Sequence, residues 1–473
     1  MIDTQSIRDK ILDLAIQGKL TEQLDSDSNI RQYLALKKIN IASNENKDIP
    51  STWCSAPLKQ LSQISTGTSI PEDVKKENYQ GYIGGFAYIG TKDVGFDHVV
   101  DYDNGVRIPN NEQGFVVAEA SSVLLCIEGG SAGRKIAIID QNVCYGNKLC
   151  KFYTTIISPY YLYYYLQSNS FKKIFKNKVT GLIGGVNLTT LKKLIIPVPP
   201  LTEQKRIVEK IEQVFSVLDA IDELQAQYAD NLTVLKSKLI DLAIQGKLTE
   251  QRPEDGSAEE LYQQIQAEKT DIIITHKGRK DNNILPIDED VPFDVPNNWK
   301  WIRFGETGFF RKGPFGSSLT KSMFVPKSEN TVKIYEQQHA INKDHTLGTY
   351  YITREYFETS MKGFEVMPGD IIVSCAGTIG ETYIMPEEIE RGIINQALMR
   401  ITVVPSIDKR FFLYYFDSQL KSRAKDGNGM AITNIPPFDI LKNLYFPLPP
   451  LAEQKRIVDR LDKLLAVCDE IRD

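Results

Sequence analysis

The run that most resembles catalytic chemistry in this 473-residue chain is Asn434-Ile-Pro-Pro-Phe438. Enzymes that methylate the amino group of adenine carry a similar Asn/Asp-Pro-Pro-Tyr/Phe motif. Here an isoleucine separates Asn434 from the prolines, and Asn187-Leu-Thr-Thr190, the corresponding stretch of the first half, lacks the motif. No glycine fingerprint for a methyl donor closes an early strand, and no Gly-x-x-x-x-Gly-Lys-Ser/Thr loop offers an ATP site. Two glycine turns, Gly129-Gly130-Ser-Ala-Gly133 and Gly377-Thr-Ile-Gly380, each fall between apolar runs. They read as strand–turn–strand, without the following helix N-terminus that a phosphate cradle needs. Six cysteines (Cys54, Cys126, Cys144, Cys150, Cys375, Cys468) and four histidines (His98, His276, His339, His345) are scattered, with no Cys-x-x-Cys pair. Metal sites need clustered ligands, so none is expected, and the thiols read as idle and reduced. No motif singles out a pair of nuclease carboxylates. No catalytic residue is assigned.

The elements that would position any site are set by internal repetition. Residues 13–23 read DLAIQGKLTEQ, and residues 241–251 repeat them identically at an offset of 228. Residues 197–208 (PVPPLTEQKRIV) recur as 447–458 (PLPPLAEQKRIV) at an offset of 250. Weaker matches lie between: Asp48-Ile-Pro-x-x-Trp53 with Asp294-Val-Pro-x-x-Trp299, and Tyr161-Leu-Tyr-Tyr-Tyr165 with Phe411-Phe-Leu-Tyr-Tyr415. The segment 199–251 is intact only in the middle of the chain. Its first half recurs at 449–473 and its second at 1–23, so the two termini together form one more copy, cut open. A pseudo-two-fold ring of block, helix, block, helix is the simplest geometry, with the chain ends meeting.

Pro199 and Pro200 open the central segment, with Thr202 as the expected N-cap. Apolar residues then follow two heptad series: Ile207, Val214, Ile221, Tyr228, Leu235, Leu242, and Ile211, Leu218, Leu232, Leu239 with Gln225 interrupting. No Pro or Gly occurs before Gly246. The pattern predicts a coiled-coil helix roughly 65–70 Å long. The terminal copies keep the periodicity, and are expected end to end along the central helix, antiparallel to it.

Segments 48–198 and 290–447 read as mixed α/β blocks. Ser122–Ile127, Lys135–Ile139, Asp370–Ser374 and Thr382–Met385 are expected strands. Aromatic-rich helices are expected at 159–177 and 409–423, with the aromatic stripe in the core. Residues 24–47 read as a linker. Residues 252–289 read as a second, with a short helix over 257–269 capped near Ser257 and a basic exposed run at 276–283. Net charge is −5, which at first disfavours a nucleic-acid binder. The split is uneven: 48–198 carries 15 Lys+Arg against 12 Asp+Glu, 290–447 carries 18 of each, and the remainder sums to −8. The blocks themselves are compatible with DNA. With 42% hydrophobic residues, no apolar run near the roughly 20 residues of a spanning helix, and no apolar signal region in MIDTQSIRDKILD, a cytoplasmic protein with no membrane contact is expected.

LAIQGKLTEQ, the paired PLPPL-x-EQKRIV segments, and GDIIVSCAGTIG followed by INQAL (369–380, 394–398) resemble the specificity (S) subunits of type I restriction-modification systems. The resemblance spans nearly the whole chain. It implies a mixed α+β fold: two globular α/β target recognition domains in pseudo-two-fold arrangement, separated by long antiparallel coiled-coil helices. Its divisions would be an N-terminal helix (1–23), a linker (24–47), the first recognition domain (48–198), a central helix (199–251), a linker (252–289), the second recognition domain (290–447) and a C-terminal helix (448–473). Each domain would read one half of a split double-stranded DNA site. The helices would dock methyltransferase (modification) subunits, two of them, and motor-nuclease (restriction) subunits would complete the complex. S-adenosylmethionine, ATP and magnesium would belong to those partners, with no cofactor in this chain. A stand-alone DNA adenine methyltransferase and a coiled-coil scaffold without DNA specificity are the alternatives.

Under that resemblance the candidate readers are polar or basic loop residues. Arg and Lys suit guanine edges, and Asn and Gln suit adenine. The first block offers Thr66, Thr68, Ser69, Thr91, Lys92, Arg134, Lys135, Asn147 and Lys148. The second offers Arg311, Lys312, Ser317, Ser318, Gln337, Gln338, Asn395 and Gln396. Any of them could instead touch phosphate, which positions a protein without reading sequence. The first block has Gly146-Asn147-Lys148 where the second has Ile394-Asn395-Gln396, which aligns Asn147 with Asn395.

Overall fold

The computed structural model describes residues 1–42, 49–178, 185–276, 284–376, 378–426 and 438–471. The Asn-Ile-Pro-Pro run (434–437), Gly377 and most of the basic run (277–283) lie outside them. The chain divides into a first unit, Met1–Ala226, and a second, Gln227–Asp473.

Strands of the first unit are β1 (Cys54–Pro57), β2 (Gln63–Thr66), β3 (Phe86–Ile89), β4 (Arg107–Ile108), β5 (Val117–Ala118), β6 (Val123–Cys126), β7 (Ile136–Ile138), β8 (Val143–Tyr145), β9 (Leu149–Tyr153) and β10 (Ile195–Val198). They form one antiparallel sheet ordered β2-β9-β6-β7, one mixed sheet ordered β4-β3-β8-β5, and a separate pair, β1 with β10. Strand β6 explains the layering. Val123 and Leu125 enter a core shared with the helices. Leu124 and Cys126 enter a second core against the mixed sheet. Successive side chains point to opposite faces, so a strand covered on both sides must be apolar throughout.

The second unit repeats the plan: β11 (Lys300–Arg303), β12 (Gly308–Lys312), β13 (Thr331–Tyr335), β14 (Tyr351–Thr353), β15 (Glu365–Val366), β16 (Ile371–Ser374), β17 (Thr382–Ile384), β18 (Gly392–Ile394), β19 (Leu398–Val403) and β20 (Tyr445–Leu448). The orders β12-β19-β16-β17, β14-β13-β18-β15 and β11-β20 match those of the first unit. Both expected strand–turn–strand segments form. The aromatic helices are Pro159–Gln167, broken at Ser168 from Asn169–Lys178, and Lys409–Asp426. Tyr161, Tyr165, Phe171, Phe411, Phe412 and Tyr415 are buried in the core, as expected.

The repeated motifs meet in one knot per unit. After the N-terminal helix (Thr4–Ile16), Gly18 adopts φ +71°, and a Cβ there would sit 2.3 Å from Cγ of Pro50 and 3.2 Å from the Trp53 ring. Gly246 at φ +69° stands equally close to Pro296 and Trp299. Only glycine fits such a left-handed close approach. Glu203, fully buried, accepts from Trp53 Nε1 (2.8 Å), Gln23 (2.8 Å) and Thr21 (3.2 Å). Arg206 grips Asp27 with both guanidinium nitrogens at 2.7 Å. Gln204 accepts from Ser158 N–H and donates to the Pro199 carbonyl. Glu453, Arg456 and Gln454 repeat every one of these roles with Trp299, Gln251, Thr249, Asp255, Asp408 and Pro449. Each unit thus contains its own complete motif set, and the repeat is a tandem one.

The central helix runs Leu201–Ile244. Thr202 is not its N-cap: the residue lies in the first turn and its hydroxyl donates to Asp27. In the first unit Leu12, Ala15 and Ile16 of the N-terminal helix share a core with Ile207 and Ile211. Arg8 pairs with Asp219 and Asp222, so the two helices run antiparallel. In the second unit Ile457, Val458 and Leu461 of the C-terminal helix (Leu451–Glu470) share a core with Ala243 and Ile244, and Lys236 pairs with Asp469. Of the two heptad series, Ile211, Leu218 and Leu232 are buried. The other is covered only at its start: Ile207 is buried, whereas Tyr228, Leu235 and Leu242 are exposed. A straight helix drifts about 20° per heptad against a 3.5-residue repeat, so this stripe turns away from its partner along its length.

Two linkers carry more structure than expected. Helix Ile30–Leu36 lies within 24–47 and buries Ile30 and Leu34. Helix Ala258–His276 extends well past 269, although Ser257 does cap it through Glu260 N–H.

Candidate nucleic-acid interface

Strand pairing brings the candidate residues of the first block to a single rim. Strand β3 ends beside the end of β8 (Ile89 opposite Tyr145). Strand β9 starts beside the ends of β6 and β2 (Leu149 opposite Cys126, Cys150 opposite Thr66). The turns leaving β2, β3, β6 and β8 therefore crowd together. A depression of about 300 Å³ opens there, lined by Ser69, Lys75, Thr91, Lys92, Asn147 and Lys148, among others. Tyr88 also lines it. Burial pushes its phenol up to about 12, and the protonated hydroxyl donates to the Thr68 carbonyl at 2.7 Å.

Some of these side chains hold the loops. Thr68 Oγ1 donates to the Gly114 carbonyl (2.8 Å) and Lys135 Nζ to that of Thr91 (2.9 Å). Arg134 donates to the Gly130 carbonyl at 2.5 Å, and both Arg134 and Lys135 lie over the exposed Phe96 ring. Thr66 is half-buried at the end of β2. Ser69, Lys92, Asn147 and Lys148 face solvent, and Lys148 makes a loose contact with Glu128 at 3.9 Å.

The second block builds the same rim. Tyr335 stands opposite Ile394, Ser374 opposite Leu398, and Lys312 opposite Met399. These registers place Leu398 with Leu149, and so Gln396 with Asn147 and Asn395 with Gly146. The sequence alignment of Asn147 with Asn395 is corrected by one residue. Asn395 serves the turn, accepting from Ala397 N–H at 3.0 Å, while Gln396 is exposed. Gln337 donates to the Ala376 carbonyl and Gln338 to Glu336. Their short helix rests on buried His339, whose Nδ1 accepts from Glu336 N–H and whose Nε2 meets the Leu347 carbonyl at 2.7 Å. Burial lowers the pKa of that imidazole. Arg311 stacks on Phe364 at 4.4 Å. Lys312 and Ser317 are exposed, and the Ser318 carbonyl accepts from Tyr356.

Sequence reasoning did not select Lys75, Phe96 or Phe315. Lys75 sits in a polar stretch with no motif, and exposed aromatics carry no periodic signal. Among the described residues no group of three or more His, Cys, Asp or Glu side chains could hold a metal ion. Burial raises the Cys54, Cys144 and Cys375 thiols to about 11. Among the described residues no helix is long and apolar enough to cross a membrane.

A family model described as the type I restriction modification DNA specificity domain matches residues 50–227 and 318–473. The type I restriction enzyme EcoAI specificity subunit of Escherichia coli is 22% identical, over 99% of this chain and 90% of its own. The EcoEI specificity subunit, also from Escherichia coli, is 21% identical over the same shares. Two solved structures share the fold. The HsdS subunit of Thermoanaerobacter tengcongensis matches with a TM-score of 0.50 and 17% identity, over 91% of this chain and 94% of that one. A chain from a study of complex assembly in the type I R-M system matches with a TM-score of 0.61 and 16% identity, over 89% and 92%. A stand-alone methyltransferase has no support in these matches. The family match covers 50–227 and 318–473, more than half of the chain, and this chain belongs to the type I restriction-modification specificity subunits, the non-catalytic members of that system.

Proposed function

We propose that each unit reads one half of a bipartite double-stranded DNA site through its rim. One observation carries the reading: in both units, turns distant in sequence bring exposed polar side chains together at equivalent strand positions, and those side chains differ between the units. Lys92, Asn147 and Lys148 would face one half-site, and Lys312, Gln338 and Gln396 the other. Candidates already bound to backbone carbonyls, such as Thr68, Lys135 and Gln337, would hold the loops or meet phosphate. The exposed apolar side chains of the central helix, Val217 and Leu224 in the first unit and Tyr228 and Leu235 in the second, would dock methyltransferase subunits, one per unit. Those partners would use S-adenosylmethionine. Motor-nuclease subunits would use ATP and magnesium, and the complex would act in the cytoplasm.

Adenine-methylation mapping by single-molecule sequencing tests this, in cells expressing the chain with its neighbouring methyltransferase. One bipartite motif is expected, with one half altered when residues 48–198 are exchanged for another block. A motif indifferent to that exchange would sink the proposal and favour a scaffold without specificity.

A further inference from the structure

The side chain most at odds with its surroundings on the second rim is Phe315, which is 87% exposed. A lone exposed apolar residue is ordinary on a protein surface. This one is held in place. Pro314 and Leu319 on either side are buried. A tight turn closes it, with Ser318 N–H donating to the Phe315 carbonyl (2.9 Å) and Tyr356 anchoring the Ser318 carbonyl (2.7 Å). Gly313 sets where the loop lies. A Cβ there would fall 1.8 Å from the Asn395 carbonyl oxygen and 2.9 Å from Cα of Gln396, and Gly313 N–H donates to the Leu398 carbonyl (2.9 Å). The missing side chain lets the Phe315 loop lie directly on the turn that presents Gln396.

On the same loop Lys312 and Ser317 are exposed and polar or cationic, and the turn that Gly313 touches exposes Gln396. A ring meant for a protein partner would sit among further apolar side chains. In the major groove an A·T pair offers adenine N6 and N7 to a carboxamide and, on the same edge, the thymine 5-methyl to an apolar group. An amide and a phenyl ring presented from two touching turns match that edge. Strand register puts Ser69 at the position of Phe315 in the first unit, because Thr66 and Lys312 stand opposite Cys150 and Met399. At that position the first rim presents a serine hydroxyl instead of a ring.

We propose that Phe315 reads a thymine methyl in the half-site of the second unit, beside an adenine edge taken by Gln396. This rests on the two-half reading above. The test uses the assembled complex with its methyltransferase subunits, at fixed salt, on duplexes of the mapped site in which each thymine is replaced in turn by deoxyuridine. At one thymine of one half-site, loss of the methyl should weaken wild-type binding about fourfold. Phe315→Ala should bind the two duplexes equally, and Phe315→Leu should recover part of the preference. No responsive thymine in that half, or a response that persists in Phe315→Ala, would overturn the proposal. So would an equal loss by Phe315→Ala on every duplex, which marks a wedge between base steps. Exchange of residues 290–447 in the same complex separates the two ideas. A half-site that changes on exchange while ignoring Phe315 removes only the thymine contact. A half-site that does not change removes the underlying reading.

Discussion

Trp53 donates its indole N–H to Glu203 across 150 residues of sequence, at 2.8 Å, and Trp299 makes the same bond to Glu453 at 2.9 Å. In each unit this bond ties the start of a block to the first turn of the helix that leaves it. Both carboxylates are fully buried.

Glu203→Ala should therefore destabilise the first unit by about 3 kcal/mol, because the donors of Trp53, Gln23 and Thr21 lose a buried charged acceptor. Glu203→Gln, which keeps one acceptor oxygen, should cost less. Urea denaturation checks both, as a lowered midpoint with an unchanged slope.

The neighbouring pairs Asp27–Arg206 and Asp255–Arg456 make stability depend on acid. In each, the hydrogen-bonded guanidinium holds the carboxyl below its ordinary 3.8, and in Asp27 well below it. A depressed folded pKa gives stability that is present above the unfolded value and is lost as pH falls through the folded one. The wild-type chain should lose stability progressively below about pH 4. Asp27→Asn with Asp255→Asn should be less stable at pH 7 and flatter through that acid window, as read by thermal unfolding against pH.

The legible part of this fold is the part that repeats. The identical DLAIQGKLTEQ copies and the EQKR pair could be seen because both units need the same knot. Even Asp27 and Asp255 share the 228-residue offset of those copies, a signal hidden by the dissimilar residues just before them. Strand β6 was legible because burial on both faces leaves an unbroken apolar run. The rims were harder to read. Loops answer to what they bind rather than to the core, so one-residue offsets such as Asn147 with Gln396 emerge only from strand register. Phe315 escaped because Ser69 occupies its place in the other unit, and comparing repeats cannot flag a residue present once. The exposure of Tyr228, Leu235 and Leu242 was not legible, because spacing gives a stripe's period without saying how far a partner covers it.

Lys92→Ala and Asn147→Ala should leave thermal stability unchanged, since both side chains are exposed and hold no loop. If they touch bases, each should relax the first half-site at one position and reduce methylation of the cognate sequence roughly tenfold, within the range for one good base contact. A uniform loss across all sequences, with a smaller salt dependence, would identify a phosphate contact instead.

Val217→Ser with Leu224→Ser should not destabilise the chain, because these side chains are 59% and 64% exposed. Docking of a methyltransferase on the helix should weaken at least tenfold, measured by calorimetric titration. Leu218→Ala is the contrasting variant. Leu218 is 4% exposed, and its loss should cost about 2–4 kcal/mol of stability.

The strand pairs β1–β10 and β11–β20 have an evolutionary consequence. In each unit the chain arrives and departs through hydrogen-bonded neighbours, Cys54 opposite Val198 and Lys300 opposite Leu448. Everything between is a cassette whose two ends already meet. Genetic crossovers within the codons of those strands would deliver a new set of rim loops while leaving the Trp–Glu knot at the edge of the cassette. Lineages could then change the DNA word they read by recombination, without having to re-evolve the scaffold that carries it.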